Sequence, residues 1–148
     1  ILLWDGKKIA DRFIIHTESN DVLDSIEFLK SVNKSVGLAL NPDTSASEIE
    51  PYIKMVDFVQ FMTVNPGYQG TEFLDHVLDK IRNFHKNHPK IIIAVDGGIN
   101  LTTAKKAVEA GAMELVSGSF IMKSGNVEQA IDELRKIGDN KSSLELQA

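Results

Sequence analysis

The sequence contains no cysteine. A disulfide framework, a thiolate metal site and thiol redox chemistry are therefore excluded, and a reducing cytosol suits the chain. Basic residues are not in excess: 16 Lys and Arg stand against 21 Asp and Glu, giving a formal net charge of -5 and a pI near 5.3. Non-specific affinity for nucleic acid comes from clustered Lys and Arg, and the absence of a basic stripe counts against such a partner. Long hydrophobic runs are missing too. The apolar stretches fall far below the ~20 residues that span a bilayer, and no charged segment precedes a hydrophobic one at the start. The expectation is a cytoplasmic protein with no membrane partner. An initiator Met is also lacking, since the chain opens Ile1-Leu2-Leu3-Trp4, and a trimmed, processed or incompletely translated protein is expected from that.

What is present is an ordinary globular composition, 43% hydrophobic and 25% charged over 148 residues, enough for one core and one domain. Short β-rich runs alternate with stretches of helical period, the mark of consecutive βα units. Five strands are predicted, over residues 12–16, 35–41, 58–64, 91–96 and 115–119, each short and mostly apolar as parallel strands buried on both faces should be. Val22, Leu23, Ile26 and Leu29 form one helical stripe, and Phe73, Leu74, Val77, Leu78, Ile81 and Phe84 another. Ser47 with Glu50 reads as a capping box, with Pro51 in the first turn. Asn100 and Asn126 are predicted N-caps, and Gly111 and Gly138 are predicted to close helices over 101–110 and 127–137. Residues 1–138 then make one α/β domain and 139–148 a frayed polar tail. Parallel strands with helical crossovers admit a doubly wound sheet or a (β/α)8 barrel. A complete barrel takes roughly 200 residues or more, so the chain would be an open sheet or part of a barrel.

In both architectures chemistry collects at the C-terminal ends of strands. The first predicted strand ends in His16-Thr17-Glu18, where a period of two puts His16 and Glu18 on one face. That pair could polarise a sugar or bind a metal, or it could be local structure, a histidine bonded to a neighbouring carboxylate. Asn41-Pro42-Asp43-Thr44 is a turn signal alone. Gly67 and Gly70, in Asn65-Pro66-Gly67-Tyr68-Gln69-Gly70, allow close backbone approach to a ligand, though a plain surface loop reads the same way. Asp96-Gly97-Gly98 leads into a helix and offers one carboxylate with two backbone N–H donors, though Asp-Gly-Gly by itself is common turn chemistry. One βα unit later Gly118 and Ser119 offer a second glycine and a hydroxyl. Barrels commonly build a phosphate site from two such adjacent loops, and N–H groups with a helix dipole hold phosphate without any lysine. Lys123 lies a few residues downstream and reads as solvated.

Met62-Thr63-Val64-Asn65-Pro66-Gly67, Val95-Asp96-Gly97-Gly98-Ile99 and Gly111-Ala112 followed by Gly118-Ser119 resemble the ribulose-phosphate 3-epimerase family in order and spacing. His16-x-Glu18 and Gly37-Leu38-Ala39-Leu40-Asn41-Pro42 fit that family's fourth and fifth strands, so the resemblance extends over residues 11–134. It implies a (β/α)8 barrel of the pentose phosphate pathway that interconverts D-ribulose 5-phosphate and D-xylulose 5-phosphate through an enediolate. Two carboxylates on opposite faces of that intermediate move the C3 proton. By resemblance Asp96 is one of them and also a ligand of a divalent cation, zinc, iron or manganese. Gly67, Tyr68, Gln69, Gly70, Gly97, Gly98, Gly118 and Ser119 match the substrate and phosphate contacts, and a homo-oligomer is expected.

The family's first three strands, which carry the partner aspartate and two histidines, have no counterpart in this sequence. His76, His85 and His88 fall in or just after a helix, not at a strand end, and read as surface histidines. Gln69 and Thr71 stand where the family usually has glycine and then glutamine. The alternatives are a phosphate-binding half-barrel without catalysis and an epimerase of another sugar phosphate such as allulose 6-phosphate.

Overall fold

A computed structural model describes residues 10–65, Gly67 and 72–145. The strands are β1 Arg12–His16, β2 Ser35–Leu40, β3 Phe58–Met62, β4 Ile92–Asp96 and β5 Glu114–Val116. The helices are α1 Val22–Ser31, α2 Val77–Asn87, α3 Leu101–Ala110, α4 Ser119–Met122 and α5 Val127–Glu145, with a 3-10 helix over Ala46–Tyr52 between β2 and β3. All strand pairs are parallel and the spatial order is β1-β2-β3-β4-β5. A doubly wound sheet reverses its order at a switch point, whereas each strand here lies beside its neighbour in sequence. That is barrel order, and the chain is five βα units of the (β/α)8 type.

Alternate residues of each strand face opposite ways, and the core takes one set. Val36, Leu38 and Leu40 of β2, Val59 and Phe61 of β3, and Ile93 and Val95 of β4 pack with Ile26 and Leu29 of α1, Ile81 and Phe84 of α2 and Ala104 and Ala107 of α3. The rings of Phe61 and Phe84 meet edge to face at 5.4 Å, which ties α2 to β3. The other set lines a concave face that helices do not cover: Ile14, Ile92 and Val116 are 45%, 38% and 43% exposed there. At the N-terminal end of that face Arg12 of β1 reaches Glu114 of β5 at 2.5 Å and lies over the Phe58 ring, so one ion pair joins the two edge strands. Gly37 lies against the same ring, and an added Cβ would stand 2.2 Å from it.

Several local expectations change. β5 ends at Val116, not at 119, because the Ser117 hydroxyl turns to the Ile99 carbonyl and Gly118 opens α4, taking the Met122 N–H on its carbonyl. β3 stops at Met62 and β2 at Leu40, where the Asn41 N–H leaves the ladder for the Glu18 carboxylate. Phe73 and Leu74 precede α2, with the Leu74 N–H on the Thr63 carbonyl, and Leu23 is 43% exposed. Ser45, not Ser47, caps the 3-10 helix, since its hydroxyl accepts from the Ser47 N–H, and Glu50 turns instead to His88. Asn100 and Asn126 accept from backbone N–H groups of the helices they start. Gly111 closes α3 at φ 117. Gly138 does not close α5: the helix runs on to Glu145, because a glycine there costs only about 0.5–1 kcal/mol and no proline follows. Among the described residues no helix is long and apolar enough to cross a membrane.

Candidate functional site

The C-terminal strand ends gather the polar residues, and Asp96 stands at their centre as the last residue of β4. Its carboxylate is partly buried. Burial pushes its pKa up, and the nearby His16 opposes that shift. Gln60, 6% exposed on the concave face of β3, donates from its amide to Asp96 Oδ2 at 3.3 Å. Behind the carboxylate, fully buried Thr63 fixes the main chain. Its N–H reaches the Asp96 carbonyl at 2.8 Å, and its hydroxyl reaches the Asp96 and Gly97 carbonyls at 3.1 and 2.6 Å.

Gly97 and Gly98 follow in left-handed conformations, φ 118 and 64. A Cβ on Gly97 would stand 2.6 Å from the Val64 side chain, and one on Gly98 3.1–3.2 Å from Phe73. Both glycines are required by the fold itself. Gly118 differs: its φ is -102 and no atom lies within 4 Å of an added Cβ. Neither conformation nor packing demands a glycine there, which leaves open space for a ligand. The Ser117–Ile99 bond, 2.9 Å long, brings the two glycine loops together. Within the described residues no hydrogen bond uses the N–H of Gly98, Gly118 or Ser119. The N-terminus of α3 is already occupied, since Asn100 takes the Thr102 and Thr103 N–H groups and the Thr103 hydroxyl takes that of Asn100. A groove beside these loops is lined by Gly98, Asn100, Ser119, Phe120, Lys106 and Lys123. Lys106 is paired with Asp75 at 2.8 Å, and Lys123 is exposed at the groove. Gly67 is exposed at φ 109, and Tyr68, Gln69, Gly70 and Thr71 lie outside the described residues.

His16 and Glu18 do meet, Nδ1 to Oε2 at 3.3 Å, but Glu18 spends its other oxygen on structure, accepting from the Asn41 N–H and the Thr44 hydroxyl. Lys80 of α2 holds the same loop from the opposite side, donating to the Pro42 and Thr44 carbonyls at 2.5 Å each. Burial lowers the Lys80 pKa, against the pull of Asp43 and Glu18. The turn after β2 is thus clasped at the rim of the site.

The remaining histidines correct the surface reading in two cases. His76 is exposed at the start of α2. His85 is partly buried against Gly111, whose missing side chain makes room for the ring, and its buried Nδ1 has no partner among the described residues. His88 stacks on Phe84 with centroids 4.7 Å apart and bonds Glu50 at 2.8 Å. Among the described residues no group of three or more His, Asp or Glu is arranged to hold a metal ion. Those residues alone therefore do not fit a resident divalent cation.

Gln60 and Lys80 were not singled out by sequence. Gln60 is the one amide in the apolar run Phe58-Val59-Gln60-Phe61-Met62, two residues from either end, and that alternation is a usable signal for the concave face. Lys80 carries no such signal, because its partners are carbonyls of a distant turn.

Acid should loosen this framework. Burial raises the Glu18 carboxyl, but the Thr44 hydroxyl, the Asn41 N–H and His16 outweigh it and leave its pKa lowered. Asp57 behaves alike: burial raises it, and Lys30 with the Val36 N–H brings it below its ordinary value. A depressed folded-state pKa contributes stability that is present above the unfolded value, about 4, and lost as pH falls through the folded one. Asp96, raised by burial, works in the opposite sense. Thermal midpoints should fall steeply below about pH 4, and less steeply in Glu18→Gln; a parallel fall in both proteins contradicts the Glu18 assignment.

A family model described as the ribulose-phosphate 3 epimerase family matches residues 6–122. The chain is 37% identical over 136 residues to ribulose-phosphate 3-epimerase of Bacillus subtilis (strain 168), covering 88% of this chain and 63% of that protein. It is 37% identical over 128 residues to the protein of the same name from Schizosaccharomyces pombe, covering 85% and 56%. The chain thus spans less than two thirds of the length of these relatives. In fold it resembles 3-hexulose-6-phosphate synthase from Salmonella typhimurium, with a TM-score of 0.69 at 17% identity over 88% of this chain and 63% of that one. It also resembles thiamine phosphate pyrophosphorylase from Pyrococcus furiosus, with a TM-score of 0.66 at 25% identity over 88% and 60%. With a family model matched across most of its residues, the chain belongs to the ribulose-phosphate 3-epimerase family.

Proposed function

We propose that this chain forms the C-terminal five βα units of a cytoplasmic enzyme that epimerises D-ribulose 5-phosphate and D-xylulose 5-phosphate at C3. The barrel portion takes residues 1–138, and 139–148 form a polar tail whose first part, to Glu145, continues the last helix. The observation that carries this reading is a partly buried Asp96 beside two glycine loops on adjacent strands with N–H groups unused among the described residues. Gly97, Gly98, Gly118 and Ser119 grip the phosphate through backbone N–H groups, and by family resemblance Gly67, Tyr68, Gln69 and Gly70 supply further substrate contacts. Asp96 removes the C3 proton of one epimer, leaving the C–H electron pair in the planar enediolate, or in the reverse direction delivers a proton to C3 on that same face. Burial raises its pKa toward the operating pH, which suits a group that must both accept and donate. The carboxylate for the other face, and all but one ligand of a divalent cation, come from strands outside this chain. Such a cation would stabilise enediolate charge when bound, and Asp96 is the ligand this chain contributes.

Conversion of D-ribulose 5-phosphate by the complete protein, followed by carbon NMR, tests the reading: xylulose 5-phosphate should accumulate to equilibrium. Binding without conversion instead favours a phosphate-binding half-barrel, and conversion of allulose 6-phosphate alone favours the other sugar. The half-barrel reading draws support from the Arg12–Glu114 bridge, which joins both edges of the sheet within this chain. Against it stand the exposed Ile14, Ile92 and Val116, which should make the isolated chain self-associate. A monodisperse monomer with a cooperative melt in size-exclusion and thermal experiments would contradict that expectation.

The two glycine loops respond differently to substitution. Gly118→Val should weaken binding of inorganic phosphate about tenfold or more, a loss of about 1.4 kcal/mol or more, with the melt unchanged. Gly98→Val should cost on the order of 1–3 kcal/mol of stability whatever is bound, because its backbone is left-handed. Calorimetric titration alongside thermal melts separates the two, and unchanged phosphate binding in Gly118→Val would move the site elsewhere.

A further inference from the structure

We propose that Gln60 is a positioning residue that fixes the plane of the Asp96 carboxylate and so aims one oxygen at the substrate; this rests on the reading of Asp96 as the proton-transfer group. Gln60 is one of only three polar residues found buried among those described. It stands on the concave face of β3, where its register partners are Ala39 on β2 and Ala94 on β4. Two alanines leave lateral room, so the long amide rises along the floor of the barrel toward the strand ends. There its Nε2 donates to Asp96 Oδ2 at 3.3 Å and to Met62 Sδ at 3.4 Å. Met62 is itself the register partner of Asp96. An amide has two protons, and each finds an acceptor, so the group cannot swing without losing one of them.

The consequence falls on the carboxylate. The terminal torsion of an aspartate is broad and roughly two-fold, and packing alone does not fix it. Gln60 fixes it by holding Oδ2. Oδ1 accepts no hydrogen bond among the described residues and is the oxygen left to meet the C3 proton. A buried amide in an otherwise apolar strand is unfavourable unless its donors are satisfied, so its placement here has a reason only if Asp96 is its partner.

The test uses Gln60→Met in the complete protein, which keeps the length and the apolar stem and removes both N–H groups. Turnover should fall about 10- to 100-fold, the effect of a displaced reacting group, with KM within about twofold. The thermal midpoint should stay within a few degrees. Gln60→Glu, which sets a second carboxylate against Asp96, should lose at least as much. A signature independent of either variant is the side-chain ¹⁵N–¹H pair of Gln60 in the parent protein: one proton resonance should move in Asp96→Asn while the one facing Met62 stays. Turnover of Gln60→Met within twofold of the parent would overturn the proposal. So would a joint fall in turnover, KM and melting temperature, which means packing alone, or amide resonances indifferent to Asp96→Asn. If Asp96→Asn itself turns over normally, the reading of Asp96 fails and this role with it. If Asp96→Asn is inactive and Gln60→Met active, only the positioning role fails.

Discussion

Asp96→Asn in the complete protein should lose about 10²- to 10⁴-fold in turnover, the usual contribution of a positioned acid or base. The substitution keeps shape and volume, and the new amide oxygen can still accept from Gln60. Thr63 holds the Asp96 main chain, not its side chain, so the Gly97-Gly98 backbone stays where it is. Affinity for a sugar phosphate should accordingly stay within a few-fold, and the loss should appear in kcat with little change in KM, the pattern of an interaction made only in the transition state. Turnover within a few-fold of the parent would reduce Asp96 to a turn residue.

Phe61→Ala should have the largest effect on stability. Phe61 is 0% exposed, meets Phe84 edge to face at 5.4 Å and sits in the middle of the three-layer contact between β3, α2 and the neighbouring strands. Truncating a buried phenylalanine costs about 3–5 kcal/mol, from lost transfer energy and the cavity left behind. Against a net stability of about 5–15 kcal/mol for a typical domain, this variant should be largely unfolded at modest urea concentrations. Phe61 alternates with Gln60 and Met62, so loosening its packing should also disturb the concave face. A urea midpoint shift equivalent to less than about 1 kcal/mol would mean that α2 is not packed on β3 as described.

Strand positions were readable in the sequence because parallel strands buried on both faces are apolar runs of four to six residues, and Val36 to Leu40 or Ile92 to Val95 could be little else. What was not readable depends on contacts distant in sequence. The last residues assigned to β5 became a turn because Ser117 bonds Ile99, 18 residues away. Ser45 took the cap expected of Ser47 because Glu50 is drawn to His88, 38 residues on. Architecture was ambiguous from the element count and is decided by strand order alone. At the site, Asp96 and its glycines stood out as a motif, but the reason for those glycines did not. Gly97 and Gly98 answer to Val64 and Phe73, whereas Gly118 is free of such a demand. Gln60 and Lys80 act through partners 36 and about as many residues away, which no local pattern encodes.

The most direct test is exchange of the C3 hydrogen. In deuterium oxide, the complete protein should place deuterium at C3 of recovered D-ribulose 5-phosphate and D-xylulose 5-phosphate, and Asp96→Asn should slow that exchange in proportion to its loss of turnover. Deuterium-free sugar phosphates after full equilibration, or exchange at the parental rate in Asp96→Asn, would contradict proton transfer at C3 by Asp96.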